Sequence, residues 1–296
     1  MNSLLLIAML LSSAGLERPE PRTARPEERA AIRAERAGQT GHIANAKVTR
    51  PELLDGLRPE RKLIPTGEFA GSNGGQWMRD EAGGMWFGKP SKGDALQLDR
   101  QANEQAMNDI YRLAGDSFGV AVPETQLATV EGQPMFLSKK LASPIVNSAP
   151  SDAARAHFAD GFVIDAWLAN WDIGARHQLV VTADGRLPRI DNGGAGLFRA
   201  RGDPKGDRFG ATVVELTSMR NPSMVSAYSF GRLSPSEIQT QIDKFAAWYP
   251  SHAAGVAAAV DHTPLSPVLK AELRTRLQAR AAWLIAHATT RVAEAQ

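Results

Sequence analysis

Lys89 closes the apolar run Met85-Trp86-Phe87-Gly88, a short way beyond the glycine-rich stretch Gly71-Ser72-Asn73-Gly74-Gly75. An ammonium at a strand end can reach phosphate oxygens, and glycines let a loop bring its N–H groups close to the same anion. Each feature also has a plainer reading, an edge lysine snorkelling to water and an ordinary hairpin turn. The stretch is not a Walker A loop, because no Gly-Lys-Ser/Thr follows. Glu104 lies in a run with helical spacing. Turned toward the strand it would hold the Lys89 ammonium, and turned away it would simply be solvated. Two acids farther along stand in less ordinary settings. Asp172 sits in Asn170-Trp171-Asp172-Ile173-Gly174, where it could orient and deprotonate an attacking hydroxyl. Asp191 leaves an apolar run directly into Asn192-Gly193-Gly194. As an oxygen ligand it suits Mg²⁺, and as a turn residue it suits a hairpin. Singly these residues say little; in this order they describe the handling of phosphates beside a hard cation.

The elements that must position them can be read from periodicity. Trp77–Arg79 and Met85–Lys89 read as strands joined through Asp80-Glu81-Ala82-Gly83-Gly84, and Thr125–Val130 and Pro134–Lys139 as two more around Glu131-Gly132. Asn103, Ala106, Met107, Ile110, Tyr111 and Ala114 recur at helical spacing, with Gly115 as the expected stop. Ser151 is a fitting N-cap for a helix through about Ala169. Gln178–Thr182 and Leu187–Ile190 flank Asp184-Gly185 and predict a hairpin. Ser234-Pro235-Ser236-Glu237 combines a capping box with proline at the first helical position. Ser266-Pro267 opens a last helix carrying Leu269, Leu273, Leu277 and Leu284. Strands with one inserted helix, a linker, and then mainly helices predict a two-lobed α+β layout. The segment Arg199–Phe209 is read two ways, as a solvated loop or as a mobile activation-type loop.

Composition narrows the classes. Cysteine is absent, which excludes disulfide frameworks, thiolate metal sites and cysteine nucleophiles. Net charge is only +2 and no basic stripe alternates with aromatics, so nucleic acid is not an expected partner. The dispersed histidines lack metal-ligand spacing, and no Gly-x-Ser-x-Gly elbow occurs. Leu4–Leu11 is too short to span a bilayer, which needs about 20 residues. Followed by Ser12-Ser13-Ala14-Gly15, it fits the apolar region of a secretory signal; as a short buried helix or a misplaced start it would leave the protein cytoplasmic. Residues 16–60, rich in Arg, Glu, Ala and Pro, read as a disordered linker. The folded part is expected at 61–290, with lobes at about 61–145 and 146–290.

The ordered set of glycine-rich loop, Lys89, Glu104, Asn170-Trp171-Asp172 and Ile190-Asp191-Asn192-Gly193 resembles the HipA-type and phosphatidylinositol 3-/4-kinase-like atypical kinases. Asn103-Glu104 at the helix, Gly119-Val120 and Val122-Pro123-Glu124-Thr125 add to the likeness, which covers roughly residues 62–210. The resemblance implies a protein-kinase-like fold with a mainly helical C-lobe, and ATP and Mg²⁺ as cofactors. It also implies a protein Ser/Thr or phosphoinositide hydroxyl as acceptor, and bacterial effector kinases share the form. By the same resemblance Lys89 pairs with Glu104 and contacts the α/β-phosphates under Gly71–Gly75, Asp172 is the catalytic-loop base, and Asp191 holds the metal. The family's second metal ligand is an asparagine, and here the equivalent place holds His177-Gln178. The amide oxygen of Gln178 sits one methylene farther out, which is costly for a cation that demands near-octahedral geometry at ~2.1 Å. That departure keeps a pseudokinase scaffold open as an alternative, and a kinase-fold nucleotidyl transferase is a second.

Overall fold

Alternation of side chains between two faces organises the first half of the molecule. The computed structural model describes residue 57 and residues 61–70, 75–91, 94–141, 150–175, 179–182 and 185–294. All belong to one compact unit, Thr49–Gln296. Strands β1 (Leu63–Ala70), β2 (Gly75–Asp80) and β3 (Met85–Pro90) form an antiparallel meander. Strands β4 (Thr125–Val130) and β5 (Gln133–Lys139) form a hairpin beside it, giving the order β1-β2-β3-β5-β4. Asp80 ties the β2–β3 turn, accepting from the Gly84 N–H at 2.6 Å and from Trp86 Nε1 at 2.9 Å. Met78, Trp86, Ala128, Met135 and Leu137 gather on one face of the sheet, while Leu127 and Phe136 join the main core on the other. The four strands expected in the first lobe are present. β1 was not among them, since Pro65 and Gly67 interrupt its pattern and its register slips between Pro65 and Phe69. An edge position tolerates such residues.

Helix α1 (Ala95–Phe118) is inserted between β3 and β4 and packs on the sheet. It begins about two turns before the expected span and ends about one turn after it, because its buried stripe continues from Leu98 to Phe118. Asp94 caps its start, and Gly119, at φ 61°, ends it in the left-handed conformation that glycine adopts without penalty. Gly115, the expected stop, lies inside the helix and lends its carbonyl to the Gly119 N–H.

The C-terminal lobe is helical. The single helix expected after Ser151 is two, α2 (Asp152–Ala159) and α3 (Phe162–Trp167), separated at Asp160-Gly161. A Cβ on Gly161 would lie 2.5 Å from Arg189 Nη2 and 2.7 Å from Val120 Cγ2, so the break is a passage for a buried arginine. Short helices α4 (Glu215–Ser218) and α5 (Ala227–Phe230) lead to α6 (Pro235–Asp261), which opens with the expected capping box, and to α7 (Pro267–Glu294). Phe245, Trp248 and Tyr249 of α6 pack around Trp167 of α3. The expected hairpin over 178–190 is not a strand ladder among the described residues. Thr182 N–H meets the Arg186 carbonyl at 2.9 Å and closes the turn, but Pro188 has no donor and the Arg189 N–H goes to Ala121 O at 2.7 Å.

Arg280 of α7 ties the lobe together. Its fully buried guanidinium donates to Ala166 O, Trp167 O, Gly210 O and Thr212 O at 2.7–3.0 Å, and to Glu215 Oε2 at 2.6 Å. Arg280→Met leaves the Glu215 carboxylate and several carbonyls unsatisfied. It is expected to lower stability by about 3–5 kcal/mol, read as a fall in the urea midpoint at unchanged m-value. A loss below about 1 kcal/mol would mean that water replaces the guanidinium at all of these sites.

Candidate active site

The end of β3 delivers Lys89 to the cleft between the lobes. Its backbone carbonyl accepts from Gln101 Nε2 at 2.7 Å, which ties the strand end to α1. One turn farther along α1, Glu104 is buried and faces the sheet, and its carboxylate accepts from Lys89 Nζ at 3.0 and 3.2 Å. Asp191 reaches the same ammonium from the C-terminal lobe, Oδ1 to Nζ at 2.6 Å. Burial opposes the charge on Lys89, but the Glu104 and Asp191 carboxylates outweigh it and hold the ammonium above the usual lysine range.

Asp191 has φ 55° and ψ 51°, a left-handed backbone that costs a non-glycine residue about 1–3 kcal/mol and persists only where surroundings impose it. The surroundings are a buried polar network. Asn192 donates to Asn108 Oδ1 at 3.0 Å and to Arg189 O at 3.2 Å, and its own oxygen accepts from Asn170 Nδ2 at 3.0 Å. Asn170 also donates to the Tyr111 hydroxyl, and that hydroxyl donates to Asp165 Oδ1 at 2.8 Å. Arg189 closes the set with a two-pronged pair to Asp165, Nε to Oδ1 at 3.1 Å and Nη2 to Oδ2 at 2.8 Å. Neither member of that pair is exposed. Asn103 adds a second tie, donating to Ala195 O and accepting from the Leu197 N–H.

Asp172 lies in the loop after α3, half-buried and against the Gly193-Gly194 turn. A Cβ on Gly194 would stand 3.1 Å from Asp172 Oδ2, and one on Gly193 would stand 3.1 Å from Glu104 Oε2. Those glycines let the turn pass between the two carboxylates. Next to Asp172, Trp171 is fixed by its indole N–H on Glu215 Oε1 at 3.0 Å. Beneath it the buried Lys205 donates to Ala169 O at 2.6 Å and lies 5.3 Å from the centre of the Trp171 ring. Lys89, Glu104 and Asp191 thus line one cleft from three segments, and Asp172 adjoins it across Gly194. Of the expected glycine-rich loop, Gly75 is described, and a Cβ there would strike the Phe87 ring at 2.2 Å, so its glycine has a packing reason. Gly71, Ser72, Asn73, Gly74, His177 and Gln178 lie outside the described residues, as does the whole N-terminal segment before residue 57. Arg100, Arg199 and Arg201 line the cleft as well.

The sequence reading missed the Asp165–Arg189 pair, Lys205 and the three arginines. A signal existed for the first, since Asp165 and Arg189 are opposite charges inside otherwise apolar runs. Arg199–Phe209 is neither a simple solvated loop nor open: Phe198 and Pro204 pair across a turn, and Lys205 and Phe209 are buried.

Burial brings the Lys205 pKa down from 10.5 to about 7, against the pull of the Glu215 and Asp172 carboxylates. Between those two values the unfolded chain binds a proton that the folded one has released, so this group's contribution to stability rises with pH by about 1.4 kcal/mol per unit. Below about 7 both states carry the proton and the full burial cost stays. Unfolding free energies of wild type and Lys205→Met at pH 6.5 and 9 are expected to show the wild type gaining on the variant as pH rises. A constant difference would show that Lys205 does not titrate in that window.

No family model and no curated protein matches the chain. Among solved structures it is similar to the Helicobacter pylori proinflammatory kinase CtkA, with a TM-score of 0.52 at 18% identity over 80% of this chain and 97% of that one. No described helix is long and apolar enough to cross a membrane. A five-stranded antiparallel sheet carrying one inserted helix, joined to a helical lobe and matched over most of its length by a kinase structure, is a kinase-like two-lobed fold.

Proposed function

We propose that the protein is an ATP- and Mg²⁺-dependent phosphotransferase acting on a hydroxyl of a protein Ser/Thr or a phosphoinositide. One observation carries the reading: a single half-buried ammonium, Lys89, is shared by Glu104 of the sheet-facing helix and by Asp191 of the other lobe. Glu104 is enough to hold Lys89 in place. Asp191, 62% exposed at its side chain, is the partner that can turn to a cation while Lys89 turns to phosphate oxygens.

The residues present fit Mg²⁺, which takes one or two carboxylates and completes its shell with phosphate oxygens and water. Asp191 offers such a carboxylate in the cleft; Asn192 does not compete, because its amide is committed to Asn108, Asn170 and Arg189. When bound, the cation neutralises charge on the β- and γ-phosphates. Asp172 takes the proton of the acceptor hydroxyl as that oxygen bonds to the γ-phosphorus. The bond from the γ-phosphorus to the β–γ bridging oxygen breaks, and ADP leaves with the electron pair. Lys89 offsets the negative charge on the α/β-phosphates and Glu104 keeps it aimed.

Titration calorimetry of the full chain with ATP and Mg²⁺ tests this. Lys89→Met is expected to weaken ATP by about 10–100-fold, the worth of one charge-assisted hydrogen-bonding group. Absence of ATP binding by the wild type would sink the nucleotide reading, and binding without any transfer would leave a scaffold. Transfer that adds a nucleotidyl mass to the acceptor would replace phosphotransfer.

A further inference from the structure

Three arginines of the same cleft are not used by that mechanism. Lys89 is matched by Glu104 and Asp191, but Arg100, Arg199 and Arg201 line the same cleft and form no ion pair among the described residues. Two of their nitrogens, Arg100 Nε and Arg199 Nε, are buried with no hydrogen-bond partner. A buried guanidinium N–H left unpaired is costly, and an ordered water or a bound anion would satisfy it.

The arrangement is built by the backbone. Arg199 N–H bonds to Asp203 O at 2.8 Å, Gly202 N–H to Arg199 O at 2.7 Å, and Lys205 N–H to Leu197 O at 2.8 Å, which closes a tight turn from Leu197 to Lys205. Gly202, at φ 87°, lies flat against Arg100 of α1, and a Cβ there would stand 2.5 Å from the Arg100 guanidinium carbon. The turn is therefore docked on α1 so that arginines from both edge one space.

Its place relative to the chemistry is set by Gly194. A Cβ on that residue would be 3.1 Å from Asp172 Oδ2 and 3.2 Å from the Ala200 amide nitrogen. The arginine-bearing turn thus borders the carboxylate that faces the acceptor, whereas the nucleotide phosphates belong beside Lys89. We propose that Arg100, Arg199 and Arg201 form an anion subsite for the acceptor, which is a protein segment carrying a phosphorylated or acidic side chain close to the reacting hydroxyl. Guanidinium groups suit this task, since each can grip a phosphate or carboxylate with two parallel hydrogen bonds. The described large apolar side chains that are well exposed, Ile64, Val214, Val225 and Val268, are spread over separate segments and form no evident face for a lipid surface. The proposal rests on the phosphotransferase reading for what the subsite serves, but its test is binding and stands apart from turnover.

Inorganic phosphate is titrated into the full chain with and without Mg²⁺ and a non-hydrolysable ATP analogue, for wild type and for Arg199→Gln/Arg201→Gln. Melting temperatures establish that both proteins are folded. Phosphate is expected to bind the wild type even when the analogue is present, and the double variant to bind it at least about tenfold more weakly. A phosphoserine peptide should displace the phosphate and its unphosphorylated counterpart should not. Equal phosphate binding by both proteins overturns the subsite. Displacement of phosphate by the analogue, or a loss of analogue affinity in the variant, assigns the arginines to the nucleotide and overturns it too. Displacement by phosphoinositide vesicles and not by the phosphopeptide overturns the protein acceptor. If phosphate binding depends on the arginines while the analogue fails to bind, the subsite stands and the nucleotide reading falls.

Discussion

Asp172→Asn is expected to lower phosphoryl transfer by about 10²–10⁴-fold, the usual contribution of a positioned general base. The amide keeps the shape of the carboxylate, so the close passage of Gly194, where an added Cβ would lie 3.1 Å from Oδ2, survives. The loop keeps its position because Trp171 remains bonded to Glu215 and Lys205 to Ala169 O. What disappears is the ability to take a proton. The loss should fall on the rate of the chemical step, with ATP affinity close to that of wild type, since the proposal places the nucleotide beside the paired Lys89 and Asp191. ADP release in a single turnover, measured beside ATP affinity, separates the two. A variant that transfers at the wild-type rate would show that the acceptor hydroxyl is activated elsewhere, and Asp172 would then be a loop residue only.

The second large effect is on stability. Asp165 and Arg189 are both fully buried and pair through two hydrogen bonds, with Arg189 also reaching Phe158 O at 2.8 Å. Asp165→Leu leaves a buried guanidinium without its counter-charge and is expected to cost about 3–5 kcal/mol. Asp165→Leu/Arg189→Met removes both charges and should recover part of that loss, because an apolar pair of similar volume often replaces a buried ion pair at little cost. Urea unfolding of the two variants reads the difference. A double variant less stable than Asp165→Leu would mean that Arg189 earns its place through Phe158 and Gly161 and not through the carboxylate. Under the proposed function the pair would also bear on the site indirectly. Asn192 leans on Arg189 O and Asn170, so slack in this network should let Asp191 leave its left-handed backbone and weaken Mg²⁺ dependence even where the fold survives.

Local pattern made much of the scaffold legible. β2 to β5 were readable because a half-buried strand repeats every two residues, and α6 was readable because Ser234 and Glu237 satisfy each other's donors within one turn. Lys89, Asp172 and Asp191 were legible for another reason: each is a charge set at the end of an apolar run or near glycines, where an ordinary surface residue is out of place, while Glu104 was legible only through its place on a helix between them. Element ends were less so, since Gly115 and Gly119 offer the same local stop and only the buried contact of Phe118 makes the helix run on to the second. The expected hairpin at 178–190 failed because a strand needs a partner for its N–H groups, and that of Arg189 found Ala121, far away in the chain. Pairing at long separation is what tertiary structure alone decided. Lys89 meets Asp191, Asp165 meets Arg189, Glu215 meets Arg280, and Arg100 meets the turn at Gly202. No period or cap encodes such meetings, because they depend on how the lobes close over a common core, and that closure is set by the sum of packing contacts and not by any neighbouring residues.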